Sequence, residues 1–162
     1  MNIVLYEPEI PQNTGNIART CAATGAMLHL VGPMGFSISD KHVKRAGLDY
    51  WDQVDLHYYD HWSEFEHKHK NQVLYYVSTK ASQSYDKYEY PEDAFFIFGP
   101  ESRGLPEQLL IDNPTKSLRI PMKNSIRSLN LSNSVAIIIY EVLRQQQFRG
   151  LEQIGFIPKR SE

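Results

Sequence analysis

A chain of 162 residues suits one domain, and a hydrophobic share of 41% is enough to bury a core without covalent staples. A single cysteine, Cys21, excludes an internal disulfide framework, and no pair of Cys-x-x-Cys elements is present to hold zinc or an iron–sulfur cluster. The formal charge of -2 excludes a broadly basic protein, so any surface for a polyanion has to be local.

In chain order, apolar, β-branched or aromatic runs at Asn2–Glu7, Met27–Val31, Val54–Tyr59, Gln72–Ser78, Ala94–Phe98 and Ser117–Ile120 read as strands. Between them, Thr14–Thr24, Asp40–Ala46, Trp62–Lys68 and Pro106–Ile111 suit helices, and a last helix runs from Leu131 to about Gln147. Ser82–Asp93, with its tyrosines among polar residues and Pro91, reads as a long loop. Strands alternating with helices imply an α/β fold, a mainly parallel sheet covered on both faces, in a single domain over 1–162. The run Ala94–Phe98 is apolar on both alternating faces and belongs mid-sheet. The last helix, with Asn130 or Ser132 as its N-cap, carries Val135-Ala136-Ile137-Ile138-Ile139 and is apolar nearly all round. Such a helix needs cover on more than one side, which hints at a partner subunit.

The N-terminus lacks a basic stretch backed by a long apolar run, and no segment approaches the roughly 18 apolar residues of a membrane span. A soluble, cytoplasmic protein without a membrane partner is expected. Lys41, Lys44 and Arg45, then Arg103, Lys123 and Arg127, then Arg144, Arg149, Lys159 and Arg160 are the cationic groups from which a local basic surface would come. Each alone also reads as a solvated surface charge.

Ligands of parallel sheets bind beyond the carboxyl ends of strands, which directs attention to three loops. One starts at Thr79-Lys80, one is Gly99–Pro106 and one is Pro121–Asn130. The glycine fingerprints of dinucleotide and nucleoside triphosphate sites are missing, and the Gly99/Gly104 loop suits a turn as well as a ligand. Histidines 57, 61, 67 and 69 have no metal-ligand spacing, so no metal is expected. Cys21 shares a helical face with Ile17 and reads as core, and no serine sits in a nucleophile elbow. Arg19 lies about 200° around the helix from Ile17 and faces away from that core. It is either a surface arginine or a group that meets something outside the fold. Asn13, Thr14 and Asn16 beside it read as a helix N-terminus, where backbone N–H groups favour a phosphate.

Three blocks carry a resemblance: Asn13-Thr14-Gly15-Asn16-Ile17-Ala18-Arg19-Thr20, Phe98–Pro106, and Ile120-Pro121-Met122 continuing through Arg127-Ser128-Leu129-Asn130 to Val135. In order and spacing they resemble the SPOUT methyltransferases. Tyr6–Pro11 and Arg45–Tyr50 are similar to the small single-domain type that methylates the ribose of nucleotide 34, cytidine or uridine, in leucine tRNAs. The resemblance implies a SPOUT fold with a deep C-terminal trefoil knot and a homodimer joined through the last helix. It implies S-adenosyl-L-methionine as cofactor, held by Val77, Gly99, Ile120, Ser128 and Leu129 largely through main-chain groups, with a side chain at Gly99 filling the slot. It places Arg19 at the target ribose, in the anticodon loop of tRNA, and Tyr140 near it, either positioning the nucleotide or only packing. The alternatives are a SPOUT enzyme acting on another tRNA position or on rRNA, and a knotted RNA-binding module that has lost catalysis.

Overall fold

The computed structural model describes residues 1–37 and 50–157. Seven strands, β1 (Asn2–Tyr6), β2 (Met27–Val31), β3 (Leu56–Tyr59), β4 (Leu74–Val77), β5 (Gln83–Ser84), β6 (Phe95–Phe98) and β7 (Ser117–Arg119), form one sheet in the order β3-β2-β1-β6-β4-β7-β5. Every neighbouring pair is parallel. Helices α1 (Pro11–Thr24), α2 (Trp62–His69), α3 (Glu107–Asp112) and α4 (Leu131–Gln145) complete the described regular structure, with short 3-10 turns at Trp51–Gln53, Tyr85–Lys87 and Pro114–Lys116. The expected helix Asp40–Ala46, and with it Lys41, Lys44 and Arg45, lies outside the described residues, as do Lys159 and Arg160.

The alternation of side chains along each strand divides the core in two. Ile3 and Leu5, Leu28 and Leu30, and Phe96 and Phe98 share one face with Ile17 and Cys21 of α1 and with Val135, Ile138, Ile139 and Val142 of α4. Val4, Val31, Phe95 and Ile97 share the other with Phe65 of α2 and Leu109 and Leu110 of α3. The strand β6 is buried along its whole length between β1 and β4, as a run apolar on both faces requires. Burial also pushes the Cys21 thiol up to about 12, which fits a core residue rather than a nucleophile.

Two differences from expectation exceed a residue or two at an element's end. The helix α1 starts at Pro11, not Thr14, because proline at the first helical position loses no hydrogen bond and has its φ already set. Polar Gln83–Ser84 is a strand, β5, inside the expected loop. Its two residues pair with β7 through backbone groups, which polarity does not reveal.

A directed polar chain crosses the α2 face. Asn2 Nδ2 donates to the Asp93 carbonyl at 2.9 Å, so its Oδ1 accepts from His29 Nε2 at 3.1 Å. His29 Nδ1 then accepts from the Tyr59 hydroxyl at 3.1 Å, and Tyr59 in turn accepts from His69 Nε2 at 3.0 Å. His29 is only 2% exposed, and burial first, then His57 and His69, lowers its pKa to about 3.

Candidate active site

The strands β6, β4 and β7 are neighbours, and Val77 sits level with Phe98 on one side and Leu118 on the other. The loops that follow them therefore leave the sheet together, as the strand-end rule for parallel sheets demands. They enclose a cleft of about 480 Å³ lined by Val77, Gly99, Leu105, Ile120, Leu129 and their neighbours. All five residues expected to hold a cofactor, Val77, Gly99, Ile120, Ser128 and Leu129, lie on its wall.

The wall is held by a network centred on Glu101. Its carboxylate accepts from the backbone N–H of Glu9 at 2.9 Å, the N–H of Ile10 at 3.2 Å and Asn13 Nδ2 at 3.0 Å. Asn13 Oδ1 accepts from Asn130 Nδ2 at 3.0 Å, while Asn130 Oδ1 caps α4 by accepting from the Ser132 N–H at 2.9 Å. Reciprocally, Glu9 accepts from the N–H and the hydroxyl of Ser102, which hold its carboxyl below the ordinary range. The start of α1 does favour an anion, but that anion is Glu101 of the same chain. This corrects the phosphate reading of Asn13, Thr14 and Asn16, of which Asn13 and Thr14 are buried.

Gly99 has a more specific reason than room for a ligand. A Cβ there would stand 2.2 Å from Leu105 N and 2.3 Å from Gly104 C, so it would strike the backbone of its own loop before filling any slot. Gly104, at φ 72°, is the left-handed residue that lets the loop return so closely. The 99–105 turn packs back on itself and presents a fixed wall to the cleft.

Arg19 and Tyr140 are not on that wall. Each lies six residues beyond a lining residue, Asn13 on α1 and Ser134 on α4, which is about 9 Å along the helix axis. Arg19 is exposed as its helical position predicts, and its guanidinium carbon lies 4.8 Å from the centroid of the Tyr50 ring. Tyr140 is 51% exposed on α4 and near Phe148. Of the cationic groups, Arg103, Arg144 and Arg149 are paired with Glu7, Glu141 and Glu92. Lys123 and Arg127 are exposed on the loop after β7, and Arg127 borders the cleft. Among the described residues no group of three His, Cys, Asp or Glu is arranged to hold a metal, and no helix is long and apolar enough to cross a membrane.

Residues 1–140 match the SpoU rRNA Methylase family. The chain is 46% identical over 150 residues to a tRNA (cytidine(34)-2'-O)-methyltransferase of Methylovorus glucosotrophus, with 92% of this chain and 97% of that protein covered. A solved structure described as giving insights into the 2-OH methylation of C/U34 on tRNA is similar at TM-score 0.87 and 45% identity, covering 91% of this chain and 97% of that one. The SpoU methyltransferase of Streptomyces viridochromogenes, solved with the cofactor AdoMet, shares the fold at TM-score 0.82 and 21% identity, with 91% of this chain and 61% of that one covered. By a family match over residues 1–140 and by relatives alike along nearly their full length, this chain belongs to the SpoU rRNA methylase family.

Proposed function

We propose that this chain is an S-adenosylmethionine-dependent methyltransferase that modifies the ribose 2'-hydroxyl of cytidine or uridine 34 in the anticodon loop of tRNA, with leucine tRNAs as its substrates. The observation that carries the reading is the cleft where the loops after β4, β6 and β7 meet, in a chain similar throughout to cytidine-34 methyltransferases. The cleft suits the cofactor. Its volume of about 480 Å³ lies inside the usual small-ligand range, and Val77, Leu105, Ile120 and Leu129 offer an apolar slot flanked by loop backbone groups.

The bound cofactor would supply a methyl group on a sulfonium: the bond from the ribose oxygen to the methyl carbon would form as the carbon–sulfur bond breaks, the sulfur would keep the electron pair and leave as a neutral thioether, and the hydroxyl proton would pass to solvent. That transfer requires in-line placement and neither a metal nor a covalent enzyme intermediate. Val77, Gly99, Ile120, Ser128 and Leu129 hold the cofactor, while Arg19 grips the phosphate and ribose of the target nucleotide and favours negative charge developing on the oxygen. Tyr140 positions the nucleotide.

Arg19 and Tyr140 lie about two helical turns from the cleft of their own chain, which supports a homodimer in which these groups reach the cleft of the second copy. The uncovered side of α4, with Ile137 half-buried and Tyr140 half-exposed, supports the same arrangement. The protein acts in the cytoplasm as one domain over 1–162, with the knotted C-terminal part that the family resemblance implies. The test is mass-spectrometric mapping of 2'-O-methyl nucleosides in tRNA and rRNA incubated with the protein and cofactor. Methylation confined to nucleotide 34 is expected. Methylation of rRNA or of another tRNA position would replace the specificity, and failure of the cofactor to bind would remove the enzyme reading.

A further inference from the structure

The Arg19 side chain is long, flexible and exposed, yet it is not loose. Its guanidinium lies over the Tyr50 ring at 4.8 Å, and among the described residues Arg19 makes no ion pair or side-chain hydrogen bond. The backbone that carries the ring is held in place. Tyr50 leads into the 3-10 turn Trp51–Gln53, where the Gln53 N–H donates to the Tyr50 carbonyl at 2.9 Å. Trp51 and Val54 pack against the core cluster that contains Ile17, Ala18 and Cys21 of α1, so the turn is tied to the helix that carries Arg19.

We propose that Tyr50 is the positioning residue of Arg19, holding the guanidinium over the face of its ring so that an arriving nucleotide meets a cation already aimed. The proposal rests on the role given to Arg19 above. Its physical basis is that an arginine carries a large rotamer entropy, which otherwise has to be lost when the nucleotide binds or in the transition state. The face of the ring attracts the cation without using its N–H donors, which leaves the whole fork free for phosphate and ribose oxygens. A carboxylate partner in the same place would occupy those donors and cancel the charge.

The proposal predicts a loss that is chemical rather than structural. Removing the ring in Tyr50→Leu or Tyr50→Gln should lower kcat by roughly tenfold, the combined effect of an exposed cation–π contact and one rotamer-rich side chain left to be ordered. Cofactor affinity and melting temperature should stay at the wild-type value, and the change in kcat is read from whichever of the two variants keeps that melting temperature. Tyr50→Phe, which keeps the π face and loses only the hydroxyl, should recover most of the rate. In an Arg19→Ala background the loss of the ring should have no further effect, since Tyr50 acts only through Arg19.

The assay is methyl transfer to tRNA over multiple turnovers at saturating tRNA and cofactor, with cofactor binding by calorimetry. Wild-type kcat in the ring-less variants, beside an Arg19→Ala slowed on the order of 100- to 1000-fold, overturns the positioning role and leaves the Arg19 reading intact. Equal losses in Tyr50→Phe and Tyr50→Leu assign the effect to the hydroxyl and overturn it as well. A tenfold loss that persists in the Arg19→Ala background shows that Tyr50 acts on the nucleotide directly and overturns it too. Wild-type turnover by Arg19→Ala is the separate outcome that removes the underlying reading.

Discussion

Replacing Glu101 by glutamine tests whether the cleft wall is held as the hydrogen bonds indicate. The side chain keeps its size, but one oxygen becomes an NH2 group. Two donors, Ile10 N–H and Asn13 Nδ2, converge on Oε1, whereas Glu9 N–H alone addresses Oε2. Glutamine therefore seats its oxygen at the pair and turns its NH2 toward the Glu9 N–H, donor against donor. One charge-assisted bond is lost, and two fall from about 1.5–3 kcal/mol each to about 0.5–1.5. Because Glu101 is half-buried, solvent recovers part of this, and the net loss should be about 2–3 kcal/mol. For a chain of this length that lowers the melting temperature by roughly 5–10 °C. Thermal unfolding followed by circular dichroism reads the shift, and cofactor affinity should weaken with it, since the 99–105 turn is the wall. Glu107→Gln, which disturbs only the exposed pair with Lys80, is the control and should leave the melting temperature in place. A Glu101→Gln protein melting within about 1 °C of wild type would show that the network contributes nothing to holding the loop.

Gly99→Ala should cost at least the roughly 1–3 kcal/mol of an overpacked site, because the colliding atoms are backbone, and should weaken cofactor binding. Unchanged affinity in calorimetry would refute the account of the turn. Between about pH 6.5 and pH 3 stability should fall with pH, by up to about 1.4 kcal/mol for each pH unit from His29 alone, because the unfolded chain takes up a proton that folded His29, with its pKa lowered to about 3, does not; His69, also lowered by burial, adds in the same direction. Urea unfolding that is flat between about pH 6.5 and 5 in the wild type, or equally steep in His29→Gln, would exclude His29 as the source. Sedimentation at micromolar concentration should give a dimer, and Ile137→Asp on the partly uncovered side of α4 should give a folded monomer. A monomeric wild type would refute the assembly.

Some of the features behind these predictions are visible in the amino-acid order and others are not. The run Phe95–Phe98 announces its central place because no other position buries both faces of a strand, and the Ile17/Cys21 face of α1 follows from helical spacing. The three loops of the cleft follow from strand ends alone. Glu101 is readable only as part of a motif. Its partners Glu9, Ile10 and Asn13 lie some ninety positions earlier, and nothing in local pattern pairs them. The collision that forbids a side chain at Gly99 is likewise a property of how the turn closes, not of its composition. The distance of Arg19 and Tyr140 from the cleft is equally hidden, since helical spacing gives direction around an axis but not which site the axis passes.

The pairing of β1 with β6 sets the order in which this molecule can assemble during synthesis. Asn2 lies beside Phe95, so the middle of the sheet cannot close until the chain has been made through Phe98. Until then β1, whose residues Asn2–Leu5 are all buried in the finished fold, can pair only with β2, and its other edge stays open. A nascent chain halted between β4 and β6 would expose that edge together with the faces of Leu28 and Leu30 that α4 helps to cover. Such a chain should be bound by chaperones or aggregate, and release from that state should coincide with the emergence of β6 from the ribosome.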